Sequence, residues 1–212
     1  EKDLFTEKMF KSMRNGINHQ IPVQTSFNLF KYFNINPSFN YQERWYFQKV
    51  DKEWDPVAKQ VIDSDTTWGF YRLYNYSMSV SASTKVYGTY QFKKGAAIQA
   101  IRHMITPLVS FSYTPDFGGY GYYKQVQSDT MGRMMTYSPF ANGLYGVPGS
   151  GPSMSLNFSV SQTLEMKVRD KKDTTGVRKI KLIDNLMISS SYNFLADSLN
   201  LSPFSLSLRT NL

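Results

Sequence analysis

Apolar and polar residues alternate along most of this chain, and the alternation continues over long stretches. Between Tyr74 and Phe92 the even positions are mostly apolar or aromatic, whereas the odd positions are mostly Ser, Asn, Thr, Lys and Gln. The same period of two runs from Met154 to Arg169, where Gln162 is the single polar break in the apolar row. Because successive side chains of a strand point to opposite faces, each segment predicts a β-strand with one apolar and one polar face.

The pattern predicts about seven long strands. Their boundaries fall at 16–30, 35–48, 69–93, 102–114, 153–169, 178–195 and 200–212. Short turns at 31–34 and 196–199 and medium connections at 93–101 and 170–177 contrast with long loops at 49–68 and 114–152. Three prolines, Pro22, Pro37 and Pro107, lie inside strand patterns. They indicate local weak pairing or bulges, because proline lacks the N–H that a ladder uses, or alternatively they mark the entries of strands.

The length of the strands favours a transmembrane β-barrel over a soluble β-sandwich. Soluble strands most often have roughly 5–6 residues, whereas a tilted strand needs roughly 9–11 to cross a bilayer. The interval from Tyr76 to Tyr90 corresponds to roughly 33 Å along the membrane normal, enough for two aromatic girdles around an apolar band of about 25 Å. The other face carries Ser, Asn, Thr and Gln, which suit a hydrated lumen. A soluble sandwich remains the alternative fold.

These observations predict an all-β protein, an antiparallel up-and-down transmembrane β-barrel in the cell outer membrane. Seven is an odd number, whereas bacterial barrels have an even number of strands. The chain also ends in Asn211-Leu212, without a terminal aromatic residue. We therefore expect residues 1–212 to be part of one larger outer-membrane barrel domain.

Composition argues against an enzyme. Cysteine is absent, the two histidines lie far apart, and no catalytic, cofactor-binding or metal-ligating constellation is found in the sequence. No run of 18 or more apolar residues occurs. The net charge of +8 is compatible with nucleic acid, a basic barrel lumen or an anionic lipid. The membrane pattern favours lipid and predicts no nucleic-acid partner.

A basic run lies around the turn between the fifth and sixth predicted strands. Its candidates for contacting lipid phosphates are Lys167, Arg169, Lys171, Lys172, Arg178 and Lys179, with Lys181 beside them. Ionised phosphate pairs well with Lys and Arg. The alternative interpretation is a solvated hairpin end at the periplasmic side. Glu43 with Arg44 suggests an interfacial ion pair, and His103 a structural or interfacial side chain rather than a ligand.

Several stretches, in this order along most of the chain, resemble the outer-membrane lipopolysaccharide-assembly proteins of the LptD/OstA family. They are Asn15–Val23 (NGINHQIPV), Phe39–Phe47 (FNYQERWYF), Ile101–Pro107 (IRHMITP), Phe111–Pro115 (FSYTP) and Leu164–Arg169 (LEMKVR). The most family-like element is a basic or His residue followed by Thr-Pro, opening a strand that ends in Tyr-x-Pro. It is a pattern and not a catalytic signature.

The resemblance implies a large barrel that receives lipopolysaccharide from a periplasmic bridge and passes it into the outer leaflet, with a lipoprotein plug inside. The expected partners are thus lipopolysaccharide, the plug, the bridge components and membrane lipid. The family's periplasmic jellyroll, the cysteines of many members and a first-to-last strand seam are not recognisable, so no gate residues are carried over. A porin or a substrate-specific uptake channel is the alternative function.

Overall fold

The computed structural model describes residues 6, 14–93, 95–170 and 176–210, and these are built almost wholly of β-strands. The strands are β1 Gly16–Gln24, β2 Phe27–Leu29, β3 Phe33–Asp55, β4 Gln60–Ser83, β5 Val86–Gln91, β6 Ile98–Thr114, β7 Lys124–Gln127, β8 Met134–Tyr137, β9 Ser153–Arg169, β10 Val177–Asn193 and β11 Ser205–Arg209. A single 3₁₀ turn at Gly118–Tyr120 is the helical element of the described residues. No helix in this part of the chain is long and apolar enough to cross a membrane.

Nine of the described strands form one antiparallel sheet. Its order is β1-β3-β4-β6-β9-β10-β11, with β2 paired to β3 and β5 paired to β6, whereas β7 and β8 form a separate hairpin. Apart from β2, β5 and the β7–β8 hairpin, each strand pairs with the next one along the chain, as in an up-and-down sheet. Within the described residues the end strands β1 and β11 are not paired to each other.

The strand predictions agree closely for the fifth and sixth predicted strands. β9 has the predicted bounds, and β10 differs from its prediction by one or two residues at each end. The predicted strand 200–212 is shorter, because Asn193 and Ser191 bond back to residues 200 and 202 before β11 begins at Ser205. Residues 211 and 212 lie outside the described part of the chain.

Two predicted strands are each divided opposite a proline. β4 and β5 hold the same register on β6, since Ser83 faces Leu108 and Val86 faces Ile105. Between them Thr84 donates its N–H to the carbonyl of Pro107 at 3.3 Å, but Pro107 has no N–H to return. The break between β1 and β2 is the same, with Thr25 N–H donating to the carbonyl of Pro37. The predicted weak pairing at these two prolines is confirmed.

The predicted long loop at 49–68 is wrong. β3 continues to Asp55 and β4 begins at Gln60, so the connection is a short turn. Asp55 closes it by accepting the N–H groups of Val57 and Ala58, and Lys59 adopts a φ of 51°. The polar composition of the segment suggested a loop, yet strand ends outside an apolar layer can be polar on both faces. The long loop after β6 is confirmed, and it contains the 3₁₀ turn and the β7–β8 hairpin.

The chain divides into two compact units. Unit 1 takes the described residues within Glu1–Val23, Phe39–Ser77 and Thr114–Pro152. It contains a buried cluster of Tyr46, Leu73, Phe117, Tyr122 and Phe140. Unit 2 takes those within Gln24–Ser38, Met78–Tyr113 and Ser153–Leu212. None of its described hydrophobic side chains is buried.

Candidate functional site

The basic run predicted from the sequence lies at the end of the β9–β10 hairpin in unit 2. Lys167 stands directly opposite Lys179, and Arg169 stands opposite Val177. Since paired residues share a face and alternate residues share a face, Lys167, Arg169 and Lys179 are on the same, polar face of the hairpin. The backbone N–H of Arg169 also donates to the carbonyl of Ala97 at 2.9 Å, which ties this strand end to the chain before β6.

The remaining predicted side chains differ in their positions. Arg178 is paired with Val168, and this register puts it on the opposite, apolar face of β10. Lys171 and Lys172 lie outside the described residues. Lys181 is opposite Glu165 and forms an ion pair with Asp184, 3.5 Å from Nζ to Oδ1. Among the described candidates, the sheet therefore separates Arg178 from Lys167, Arg169 and Lys179.

A groove of about 240 Å³ opens beside Lys167 and Lys179. Its lining also includes Thr89 and Gln91 from β5, Ala100 and Arg102 from β6, and Glu165 and Met166 from β9. A second hollow of about 380 Å³ shares Gln91, Ala100 and Lys167 with the first. The lining combines three cationic side chains, one carboxylate and two neutral hydrogen-bonding groups.

Arg102 is the member of this groove that sequence reasoning missed. It faces Thr89 across the β5–β6 ladder, and its guanidinium carbon lies 4.7 Å from the centre of the Tyr87 ring. That distance is within the range of a cation–π contact. The sequence shows that Arg102 lies on the same strand face as Thr106, Ser110 and Ser112, since all four have even numbers. It does not show that Arg102 lies close to β9, because that depends on which strands are neighbours in the sheet.

In unit 1, Glu43 and Arg44 do not form the pair that their adjacency suggested. The carboxylate of Glu43 forms an ion pair with Arg72, 2.7 Å from Oε1 to Nε. It also accepts a hydrogen bond from the hydroxyl of Tyr41. Arg44 is buried, with only 8% of its surface exposed. It donates to the carbonyl of Tyr145 at 2.9 Å. Successive strand residues point to opposite faces, so the two charges are separated by the sheet itself.

A segment of the long loop is fixed to the side chains of β3 in unit 1. The Tyr46 hydroxyl donates to the carbonyl of Gly146 at 2.7 Å and accepts the N–H of Tyr145 at 3.1 Å. Nearer the start of the loop, the ammonium of Lys124 pairs with the carboxylate of Asp51 at 2.6 Å. This carboxylate raises the pKa of the Lys124 ammonium. The loop is therefore an ordered part of unit 1.

The polar break at Gln162 has a partner on its own face. Its amide oxygen lies 3.1 Å from His103 Nε2. The pair satisfies two polar groups that would otherwise interrupt an apolar surface, which agrees with the structural role expected for His103. Among the described residues, no group of His, Asp and Glu is arranged to hold a metal ion.

A family model described as LptD protein matches residues 1–212 of the chain. The chain belongs to the LptD family. This family acts in the transport and assembly of lipopolysaccharide, is located in the outer membrane, and works with other components of the same pathway. It is a transport family and is not known as an enzyme family. No curated protein and no solved structure matches the chain.

The match to the LptD model confirms the family resemblance seen in the sequence, and the all-β antiparallel sheet confirms the expected fold class. An antiparallel, almost entirely β architecture agrees with the barrel of LptD proteins. The family match leaves the roles of individual residues open. The basic face with Lys167, Arg169 and Lys179, and the groove beside it, are thus defined here by their geometry alone.

Proposed function

We propose that residues 1–212 form part of one outer-membrane β-barrel domain that passes lipopolysaccharide into the outer leaflet. A lipoprotein plug inside the barrel and a periplasmic bridge that delivers the lipid complete the proposed assembly. The observation that carries the proposal is the match of the LptD family model to the whole chain.

The exposure of apolar side chains supports a lipid environment. Large hydrophobic side chains on one face of the strands remain open in the structure, among them Ile21 at 53%, Val86 at 53% and Leu206 at 69%. A face of this kind is stable when lipid covers it, since a soluble protein rarely exposes apolar patches beyond a few hundred Å². The opposite face is lined with hydroxyl pairs such as Ser38 with Ser79 at 2.7 Å and Ser112 with Ser155 at 2.8 Å.

The basic hairpin end supports contact with lipid phosphates. Lys167, Arg169 and Lys179 share the polar face, where they could meet a phosphorylated headgroup that travels inside the barrel. Arg178 would meet a phosphate only from the apolar face. Lys171 and Lys172 are included in the proposal on their sequence alone.

Depletion of the gene followed by complementation tests the function. The full-length protein should restore lipopolysaccharide at the cell surface, measured by surface labelling with an antibody against its sugars. The control is uptake of small solutes by the same cells. Loss of solute uptake with normal surface lipopolysaccharide would contradict the proposal and favour a porin or a substrate-specific channel.

A further inference from the structure

We propose that the groove lined by Arg102, Lys167 and Lys179 is a binding site for a phosphorylated sugar, with Arg102 as its central anion-binding residue. The inference rests on the proposed function, because a barrel that passes lipopolysaccharide meets phosphorylated sugars on its polar face. It adds a defined position, a ligand class and a residue that the basic run of the hairpin did not include.

Two like charges face each other in the groove. Lys167 and Lys179 stand directly opposite each other on neighbouring strands. Like charges in this position destabilise a sheet pair. Among the described residues, the ion pairs include neither of these lysines nor Arg102. An anion bound between the two ammonium groups would convert the repulsion into two attractive contacts.

The guanidinium of Arg102 is oriented by the ring of Tyr87. The Tyr87 ring, 4.7 Å below the guanidinium carbon, restricts the rotation of a side chain that is otherwise exposed. A guanidinium held in one plane presents parallel N–H groups that match two oxygens of a phosphate. Lysine ammonium groups from β9 and β10 complete a three-cation lining.

The lining of the groove also contains neutral and acidic groups. Thr89 and Gln91 lie in β5 beside Arg102, and Glu165 lies two residues before Lys167 on the same face of β9. A hydroxyl, an amide and a carboxylate hydrogen bond well to sugar hydroxyls, whereas a carboxylate would repel a bare anion. The groove therefore suits a phosphate attached to a sugar better than free phosphate.

The volume agrees with a headgroup rather than a whole lipid. The groove has a volume of about 240 Å³, which is on the scale of a headgroup and not of a lipid with its acyl chains. Acyl chains would have to remain outside the groove.

The experiment uses the full-length protein in lipid nanodiscs and titrates it with bisphosphorylated lipid A. Lipid A without phosphates and phosphatidylglycerol serve as the two comparison ligands. The double variant to be tested carries Arg102→Gln and Lys167→Gln. The charge-matched control variant carries Lys31→Gln and Lys85→Gln, two exposed lysines of unit 2 that lie outside this groove. The thermal unfolding midpoint of each variant is measured first, to confirm that all are folded.

We expect the double variant to bind bisphosphorylated lipid A at least about tenfold more weakly, and the control variant to bind within about twofold of the parent. Removal of the phosphates should weaken binding to the parent by a similar factor. Equal losses in the test and control variants would mean a net-charge effect and would overturn the site. Phosphatidylglycerol binding as tightly as lipid A would overturn the preference for a sugar.

Surface lipopolysaccharide, measured in cells that carry the same variants, separates the two proposals. If the parent restores it while lipid A binding is unchanged in the double variant, the groove is wrong and the transport function stands. If the parent neither restores surface lipopolysaccharide nor binds lipid A, the proposed function itself fails, and the groove proposal fails with it.

Discussion

Both units of the molecule expose large apolar side chains, such as Ile21 in unit 1, but they differ in what they bury. In unit 1, Phe117 and Leu73 are each 1% exposed, and Tyr46 is 2% exposed. In unit 2, Val80 is 40% exposed and Phe204 is 64% exposed. Unit 1 contains a buried aromatic cluster beside its exposed apolar side chains, whereas none of the described hydrophobic side chains of unit 2 is buried.

The difference lies in how each unit stabilises its apolar surface. Burial of apolar surface contributes about 25 cal/mol per Å². Unit 1 gains this stabilisation internally, by packing the long loop against side chains of β3 and β4. Unit 2 can gain it only when something else covers its apolar face, and an outer-membrane location supplies hydrocarbon for that purpose.

The largest effect is expected when lipid is withheld. Residues 1–212, produced alone in water, should not form a stable monomer, because the apolar face of unit 2 stays exposed and the outer edges of β1 and β11 are open to further pairing. Analytical ultracentrifugation without detergent should find large aggregates or pelleted protein. A sharp monomer peak with cooperative thermal unfolding would contradict the membrane interpretation and favour a soluble sandwich.

The next effect separates the two faces of a single strand. Val80 faces Phe111, and Ser81 faces Ser110, on the β4–β6 ladder. A spin label at Val80 of the full-length protein in bilayers should be relaxed by oxygen, which concentrates in lipid. A label at Ser81 should be relaxed by a water-soluble nickel reagent. Phe158 and Ser159 of β9 provide a second matched pair, and a reversed pattern at both pairs would refute the assignment of faces.

A smaller effect is expected from a methyl group added to the core of unit 1. A Cβ at Gly143 would lie 2.6 Å from Tyr46 Cε1 and 2.7 Å from Cζ. The Tyr46 ring cannot move away easily, because its hydroxyl is hydrogen bonded to residues 145 and 146. Gly143→Ala should therefore destabilise the loop by about 1–3 kcal/mol, the usual cost of overpacking.

The rate of proteinase K cleavage within residues 115–152 measures this destabilisation in the full-length protein. Gly119→Ala is the matched control, since a Cβ there would meet nothing within 4 Å. Faster cleavage in Gly143→Ala than in Gly119→Ala is the expected result. Equal cleavage of both variants and the parent would mean that the loop does not depend on its packing against Tyr46.

The sequence was informative wherever one physical pattern acted without competition. β9 could be bounded correctly because its alternation continues from Ser153 to Arg169. The interruptions opposite Pro37 and Pro107 were foreseeable because proline removes a donor whatever its surroundings are. The fold class followed from strand length, which a bilayer requires and a soluble sheet does not.

Features that depend on distant pairing could not be predicted. The contact of Tyr46 with residues 145 and 146 joins positions about a hundred apart in sequence. Arg102 enters the candidate groove only because β6 is the sheet neighbour of β9. Arg178 and Lys179 point to opposite faces because they are consecutive strand residues, although both belong to one basic run. The charge of the run identified the hairpin end, whereas the pairing register of β9 and β10 determines which of its basic side chains share a face.

The smallest expected effect is a pH dependence of the long loop. Asp116 Oδ1 accepts the N–H of Gly118 at 2.7 Å and the N–H of Gly151 at 2.8 Å, which joins the two ends of the loop. These two backbone donors lower the pKa of the Asp116 carboxyl below its ordinary value. Because the folded-state pKa is the lower one, the stabilisation is complete above the unfolded pKa of about 3.9 and is lost as pH falls through the folded value. Asp116→Asn should abolish this part of the acid destabilisation, seen as a flatter dependence of the thermal midpoint on pH as pH falls below about 4. Exposed Asp65→Asn should leave the parent profile unchanged. Parallel profiles for the parent and Asp116→Asn would show that this carboxylate does not hold the loop ends together.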